Sequence, residues 1–160
     1  RIIAQNFDPI IRDELEWYNK VHYDIKDSQE SIDIANICKF LLKTENLDGD
    51  ILELGSKRAG LAKIMAHFLK KINSRKIIYG ADTFEGFPYD DKFSLNNDKK
   101  GTSCGFEYEE VINKIREYDV DDKITLVKGM FEETLYQKLS KKNFRLFLLI
   151  VICMIVQNLV

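Results

Sequence analysis

Residues 50–88 read DILELGSKRAGLAKIMAHFLKKINSRKIIYGADTFEGFP, and the rest of the chain is organised around them. Ile51, Leu52 and Leu54 form a short apolar run, and Gly55 and Gly60 bracket a turn. Residues 61–71 carry apolar side chains at helical spacing, and Ile77, Ile78 and Tyr79 begin a second apolar run that ends at Asp82. Strand, glycine turn, helix, strand is one βαβ unit of a doubly wound α/β domain. Such domains bind nucleotide-like ligands beyond the carboxyl ends of their strands. The turn after Leu54 and the acid at the second strand tip are therefore the places to test for a ligand.

Three chemistries compete for that turn. A phosphate loop needs Lys and a hydroxyl after its second glycine, and Leu61 and Ala62 stand there instead. The dinucleotide fingerprint needs a middle glycine so that a pyrophosphate can approach the backbone, and Lys57 occupies that place. S-adenosylmethionine needs no phosphate cradle. It needs a close turn and an acid for its methionine end, and a second acid for its ribose diol. Glu53 lies two residues before Gly55, and Asp82 ends the next strand. A carboxylate can accept from both vicinal hydroxyls. The bland reading stays open beside this one: Glu53 ends a strand and Asp82 caps a turn.

Working outward, Ile10, Ile11, Leu15, Tyr18 and Val21 share a helical face, with Pro9 at a first helical position and Asp8 as its cap, which predicts a helix near 9–20. Asp27 and Glu30 have capping-box spacing, and Ile34, Ile37, Cys38, Leu41 and Leu42 form an apolar stripe, which predicts a helix over 28–44. Beyond Pro88, residues 89–105 read as a long surface loop. A helix is expected over 106–118, a third strand over 123–127 and a short helix over 134–142. The first five or six residues of an eleven-residue apolar run beginning at Leu146 suit a buried strand. The division expected is a helical segment, 1–48, and a partial Rossmann-like unit, 49–160, within one domain.

Composition narrows the classes. Apolar residues at 45% and charged residues at 31% suit a soluble globular chain, and a net charge of -2 supplies no general attraction to nucleic acid or anionic lipid. The apolar run is too short for a membrane span, which needs about 18 residues or more. Cys38, Cys104 and Cys153 are far apart and odd in number, so neither a disulfide framework nor a zinc site is indicated, and a reducing cytoplasm is the expected setting. Of the two histidines, His67 reads as a surface or core-edge residue. His22, beside Tyr23 and Asp24, is carried as a candidate base without assignment. Asp90 and Asp91 read as a solvated acidic loop. No catalytic residue is assigned, and homo-oligomerisation is left open.

Three stretches then carry a family resemblance: Gly49-Asp50-Ile51-Leu52-Glu53-Leu54-Gly55 with Lys57-Arg58-Ala59-Gly60, then Ala81-Asp82-Thr83-Phe84-Glu85-Gly86-Phe87-Pro88, then Val127-Lys128-Gly129-Met130-Phe131-Glu132-Glu133-Thr134-Leu135. In this order they resemble the macrocin O-methyltransferase-like family of S-adenosylmethionine-dependent enzymes, over about residues 28–143. The resemblance implies a class I methyltransferase: an α/β Rossmann-like domain with a largely parallel sheet and flanking helices, here incomplete. It implies that Glu53 and the turn from Gly55 to Gly60 hold the methionine end. Asp82, with Thr83 beside it, holds the ribose, and Gly129, Met130 and Phe131 line the adenine side. Core packing is an equal reading for Met130 and Phe131, and turn capping for Thr83. Ser56, Lys57 and Arg58 are expected to point into solvent.

The chain departs from the family at Ala59, where a glycine is usual, and at its carboxyl end. The family's Asp-rich segments there would supply magnesium ligands, since hard cations need oxygen donors, whereas here no Asp or Glu follows Glu133. The expectation is a truncated or frame-shifted end near Arg145. An intact reading frame in the transcript with the same apolar tail would refute it. The functions carried forward are an O-methyltransferase acting on a small hydroxylated metabolite, an inactive cofactor-binding remnant, and a nucleotide-dependent oxidoreductase.

Overall fold

The computed structural model describes residues 7–25, 29–90, 99–102 and 106–149. Two helices come first, α1 (Pro9–Ile25) and α2 (Ser31–Thr44), followed by β1 (Asp50–Leu54), α3 (Gly60–Lys71), β2 (Ile78–Asp82), α4 (Tyr108–Glu117), β3 (Ile124–Lys128), α5 (Phe131–Thr134) and β4 (Phe144–Leu149). A π-helical turn, Leu135–Leu139, continues α5.

The strands form one parallel sheet in the order β3-β2-β1-β4. Successive strands step outward from β1 to β3, then the chain crosses back to place β4 on the other side of β1. Right-handed crossovers put helices on opposite faces when the direction reverses, and the strand alternation divides the core accordingly. Ile51 and Ile78 pack with α1, α2, α3 and α4 on one face. Leu52, Leu54, Tyr79, Ala81 and Val127 pack with Leu139 and the residues after β3 on the other. The reversal between β1 and β4 is the switch point at which such sheets open a crevice beyond their carboxyl ends.

Helix α3 is the buried centre of the helical face: Leu61, Ala62, Ile64, Met65, Ala66, Phe68 and Leu69 are all removed from solvent. α1 and α2 pack against it in one cluster through Ile11, Leu15, Tyr18, Ile34, Cys38 and Leu41, so residues 7–44 share the core of the α/β unit. A polar clamp fixes α1 on α3. Glu14 is fully buried, with His67 Nδ1 2.8 Å and Lys71 Nζ 3.0 Å from its two oxygens. Trp17 stacks on the His67 ring at 3.7 Å.

Several boundaries differ from expectation. Asp8 caps α1 through Ile10 N–H at 3.0 Å, but the helix runs on to Ile25 because Ile25 finds a buried place beyond residue 20. α2 starts at Ser31. Its cap is Glu30, whose N–H meets Asp33 Oδ2 at 3.4 Å, three residues later than the expected Asp27 and Glu30 pair. The helical turn after β3 starts at Phe131, not residue 134, since Met130 takes the extended cap conformation directly after Gly129. Cys104, Cys153, Asp91, most of the 89–105 loop and the apolar run beyond Leu149 lie outside the described residues. Among the described residues no helix is long and apolar enough to cross a membrane.

Candidate functional site

The three motif turns follow β1, β2 and β3 and meet at one end of the sheet. Parallel strands bring their carboxyl ends together, and Asp82 fastens the turns to one another. Its Oδ2 accepts the Lys57 N–H of the first turn at 2.8 Å, and its Oδ1 accepts the Phe84 N–H of its own turn at 2.8 Å. Its main-chain oxygen accepts Gly129 N–H of the third turn at 3.0 Å. Oδ1 also lies 3.4 Å from the Thr83 hydroxyl. Each carboxylate oxygen offers about two lone pairs, so Oδ2, with one donor, keeps a lone pair for a ligand, and the side chain is half-exposed.

The first turn is tightly folded. Gly55 N–H bonds to Ala81 O at 2.9 Å, and Ala59 N–H reaches Ser56 O at 2.6 Å. Gly55 (φ 83), Lys57 (φ 49) and Ala59 (φ 53) all lie in the left-handed region. For the two non-glycine residues that conformation costs roughly 1–2 kcal/mol each, and such strain gathers where backbone is shaped for a ligand. Ala59 tolerates it as the cap of α3, with a methyl group that is fully buried.

Glu53 lies beneath this turn at 1% exposure. Ser56 donates its hydroxyl to Glu53 Oε2 at 2.8 Å. Ser56 is buried, contrary to the expected solvent-facing position, because the turn folds its side chain back over β2. Space for it exists because Gly80, paired in register with Glu53, has no side chain: a Cβ there would stand 2.7 Å from Ser56 Oγ. Neither Ser56 nor Gly80 was singled out from sequence. The available signal was the lone glycine inside a strand, which marks close approach. Lys57 is exposed, and Arg58 is half-buried with its guanidinium 4.7 Å from the Phe106 ring centre.

Thr83 uses its hydroxyl within its own turn, donating to Gly86 O at 2.8 Å and accepting Glu85 N–H at 3.3 Å. Gly129 (φ 138) has Thr134 against it: a Cβ would meet Thr134 Cγ2 at 2.8 Å. Phe131 packs on the cluster of Leu52, Leu54, Tyr79, Ala81 and Val127, and Met130 is half-buried at the start of α5. Lys128 and Glu85 pair at 2.9 Å across the second and third turns, and that bond raises the Lys128 pKa. His22 sits on α1 between the rings of Tyr18 and Tyr23, and Asp90 accepts Lys100 N–H at 2.9 Å. Neither is brought into the converged turns. A separate cleft, lined by Asp24, Arg58, Lys63, Phe106, Lys114 and Glu117, borders the first turn at Arg58 but includes none of Glu53, Asp82 or Gly129.

The donor set fits S-adenosylmethionine: a half-exposed carboxylate with a lone pair toward a diol, a close left-handed turn, and a buried carboxylate beneath it. Lys57 stands where a dinucleotide turn would carry glycine. Magnesium has no comparable fit, since among the described residues no group of three or more His, Cys, Asp or Glu side chains could hold a metal ion.

The family profile described as Macrocin-O-methyltransferase (TylF) matches residues 25–149. Among solved structures, the chain is similar to the O-methyltransferase NovP, with 24% identity and a TM-score of 0.57 over 71% of this chain and 52% of that one. It is also similar to CalS11, a calicheamicin methyltransferase, with 17% identity and a TM-score of 0.50 over 80% of this chain and 61% of that one. At these identities the structural likeness shows the fold. The chain spans about half to three fifths of the length of these two proteins. No curated protein matches it.

Proposed function

The chain belongs to the macrocin-O-methyltransferase family, and from that premise we propose that it binds S-adenosylmethionine at the three converged turns and serves methyl transfer to an oxygen of a small hydroxylated molecule. The observation that carries this reading is the Asp82 hub, which ties the turns after β1, β2 and β3 into one ligand-facing surface. Asp82 accepts a ribose hydroxyl on the lone pair that Oδ2 keeps. Glu53 supplies negative charge beneath the turn for the ammonium group. Gly129, Met130 and Phe131 border the adenine. The bound cofactor supplies an electrophilic methyl group on a sulfonium. The protein's contribution is alignment, which can lower a barrier by about 7–11 kcal/mol in well-oriented systems. The oxygen acceptor follows the family's description as an O-methyltransferase, and no side chain is assigned to take the acceptor's proton.

Isothermal titration with S-adenosylhomocysteine tests the reading, and micromolar binding is expected. Absence of binding, or binding of NADH in its place, would overturn it. Cofactor binding without methyl transfer to any hydroxylated acceptor would leave a binding module and remove the enzymatic half of the proposal.

A further inference from the structure

We infer that Ser56 is a positioning residue for the amino-acid end of the cofactor, holding the Glu53 carboxylate in a set orientation beneath the glycine turn. This rests on the S-adenosylmethionine reading above and adds to it a residue outside the expected site.

Three residues from separate stretches build the arrangement. The terminal torsion of a glutamate is broad, so a carboxylate needs partners to face one way. Ser56 Oγ supplies one at 2.8 Å from Oε2. Ser56 is itself held, 5% exposed, with its N–H toward Ala81 O at 3.3 Å. The sheet register sets Gly80 opposite Glu53, and the space of Gly80's missing side chain is where the hydroxyl sits. A hydrogen bond to a charged group is shorter and stronger than one between neutral groups, enough to favour one rotamer. Ser56 thus acts on a ligand through Glu53 and not by touching it.

A purely structural hydroxyl would lower affinity for every ligand of the site alike, so the test uses two probes. S-adenosylhomocysteine carries the amino-acid group; 5′-methylthioadenosine carries the same adenine, ribose and sulfur without it. In Ser56→Ala, S-adenosylhomocysteine should bind about tenfold more weakly, equivalent to about 1.4 kcal/mol, while 5′-methylthioadenosine stays within about twofold, since it lacks the charge that Glu53 meets. Glu53→Gln, which keeps an acceptor for Ser56 but removes the charge, should show the same selective loss. Ser56→Cys retains a weak donor and should fall between Ser56→Ala and the parent, and it decides the matter if Ser56→Ala loses its cooperative melt. Equal loss for both probes, or no loss for either, overturns the positioning role while leaving the cofactor reading intact. A parent chain that binds neither probe defeats the cofactor reading and this inference with it.

Discussion

Replacing Gly80 with alanine tests the packing beneath the glycine turn. The added Cβ would lie 2.7 Å from Ser56 Oγ, 3.3 Å from Ser56 Cβ and 3.4 Å from Leu126 Cδ2. The first contact is roughly 0.8 Å inside the ordinary lower bound of about 3.5 Å for packed atoms. Ser56 can relieve it only by turning its hydroxyl away from Glu53 Oε2, or by moving the turn. The first route loses a charge-assisted bond of about 1.5–3 kcal/mol. Alanine's preference over glycine in a strand offsets that by about 0.5–1 kcal/mol. The second route is overpacking, at about 1–3 kcal/mol. Across the two routes Gly80→Ala should destabilise the fold by about 0.5–3 kcal/mol. Urea unfolding followed by far-UV circular dichroism measures it. In a Ser56→Ala background the oxygen is gone, and the same substitution should cost about 1 kcal/mol less, a coupling visible in a double-mutant cycle. A cost below about 0.5 kcal/mol, or the same cost in both backgrounds, would refute the packing argument.

Glu14→Ala should destabilise the protein by about 2 kcal/mol, below the 3–5 kcal/mol range for a broken buried pair, because His67 and Lys71 are 28% and 27% exposed and can rehydrate. Emission from the single tryptophan, Trp17, should change as the His67 stack loosens, and an unchanged thermal midpoint would count against the clamp. Tyr118 is pushed up to about 12 by burial and then by its bond to Asp24. Its folded pKa exceeds the unfolded value of 10.0, so its contribution to stability is complete below pH 10 and is lost as the pH rises toward about 12. Tyrosinate absorbance should show a late component that Tyr118→Phe diminishes. Asp24 is shifted the opposite way, lowered by the Tyr118 hydroxyl and then by Lys114, so its contribution is lost as the pH falls through that lowered pKa. Cys38 is buried, which raises its thiol pKa far above the usual range, so peptide mapping should find it alkylated by iodoacetamide only after unfolding. Rapid modification of the folded protein would contradict its place in the core.

The parts legible in the sequence were those governed by local rules. Helical spacing located α3 to within one residue because nearly every apolar position in 61–71 is also buried, leaving no conflict between propensity and packing. The short apolar run of Ile51, Leu52 and Leu54, the glycines of the turn and the acid at Asp82 disclose a βαβ unit by the same logic. The end of α1 and the cap of α2 were less legible, since both depend on which helix lies alongside.

Strand order, register and the joining of turns were beyond any reading along the chain. Nothing near Asp82 in sequence announces that its carboxylate reaches back 25 positions to Lys57, or that its carbonyl receives Gly129. Ser56, expected to face solvent together with Lys57 and Arg58, is buried. Its burial follows from a glycine on the next strand, and only the β1–β2 register sets that glycine opposite Glu53. The sequence by itself determined the βαβ unit and the acids available to a cofactor, because hydrophobic period and turn chemistry act over a few residues. The tertiary structure decided which groups those acids meet, because parallel pairing joins strands distant in sequence and the space at one missing side chain is set by both.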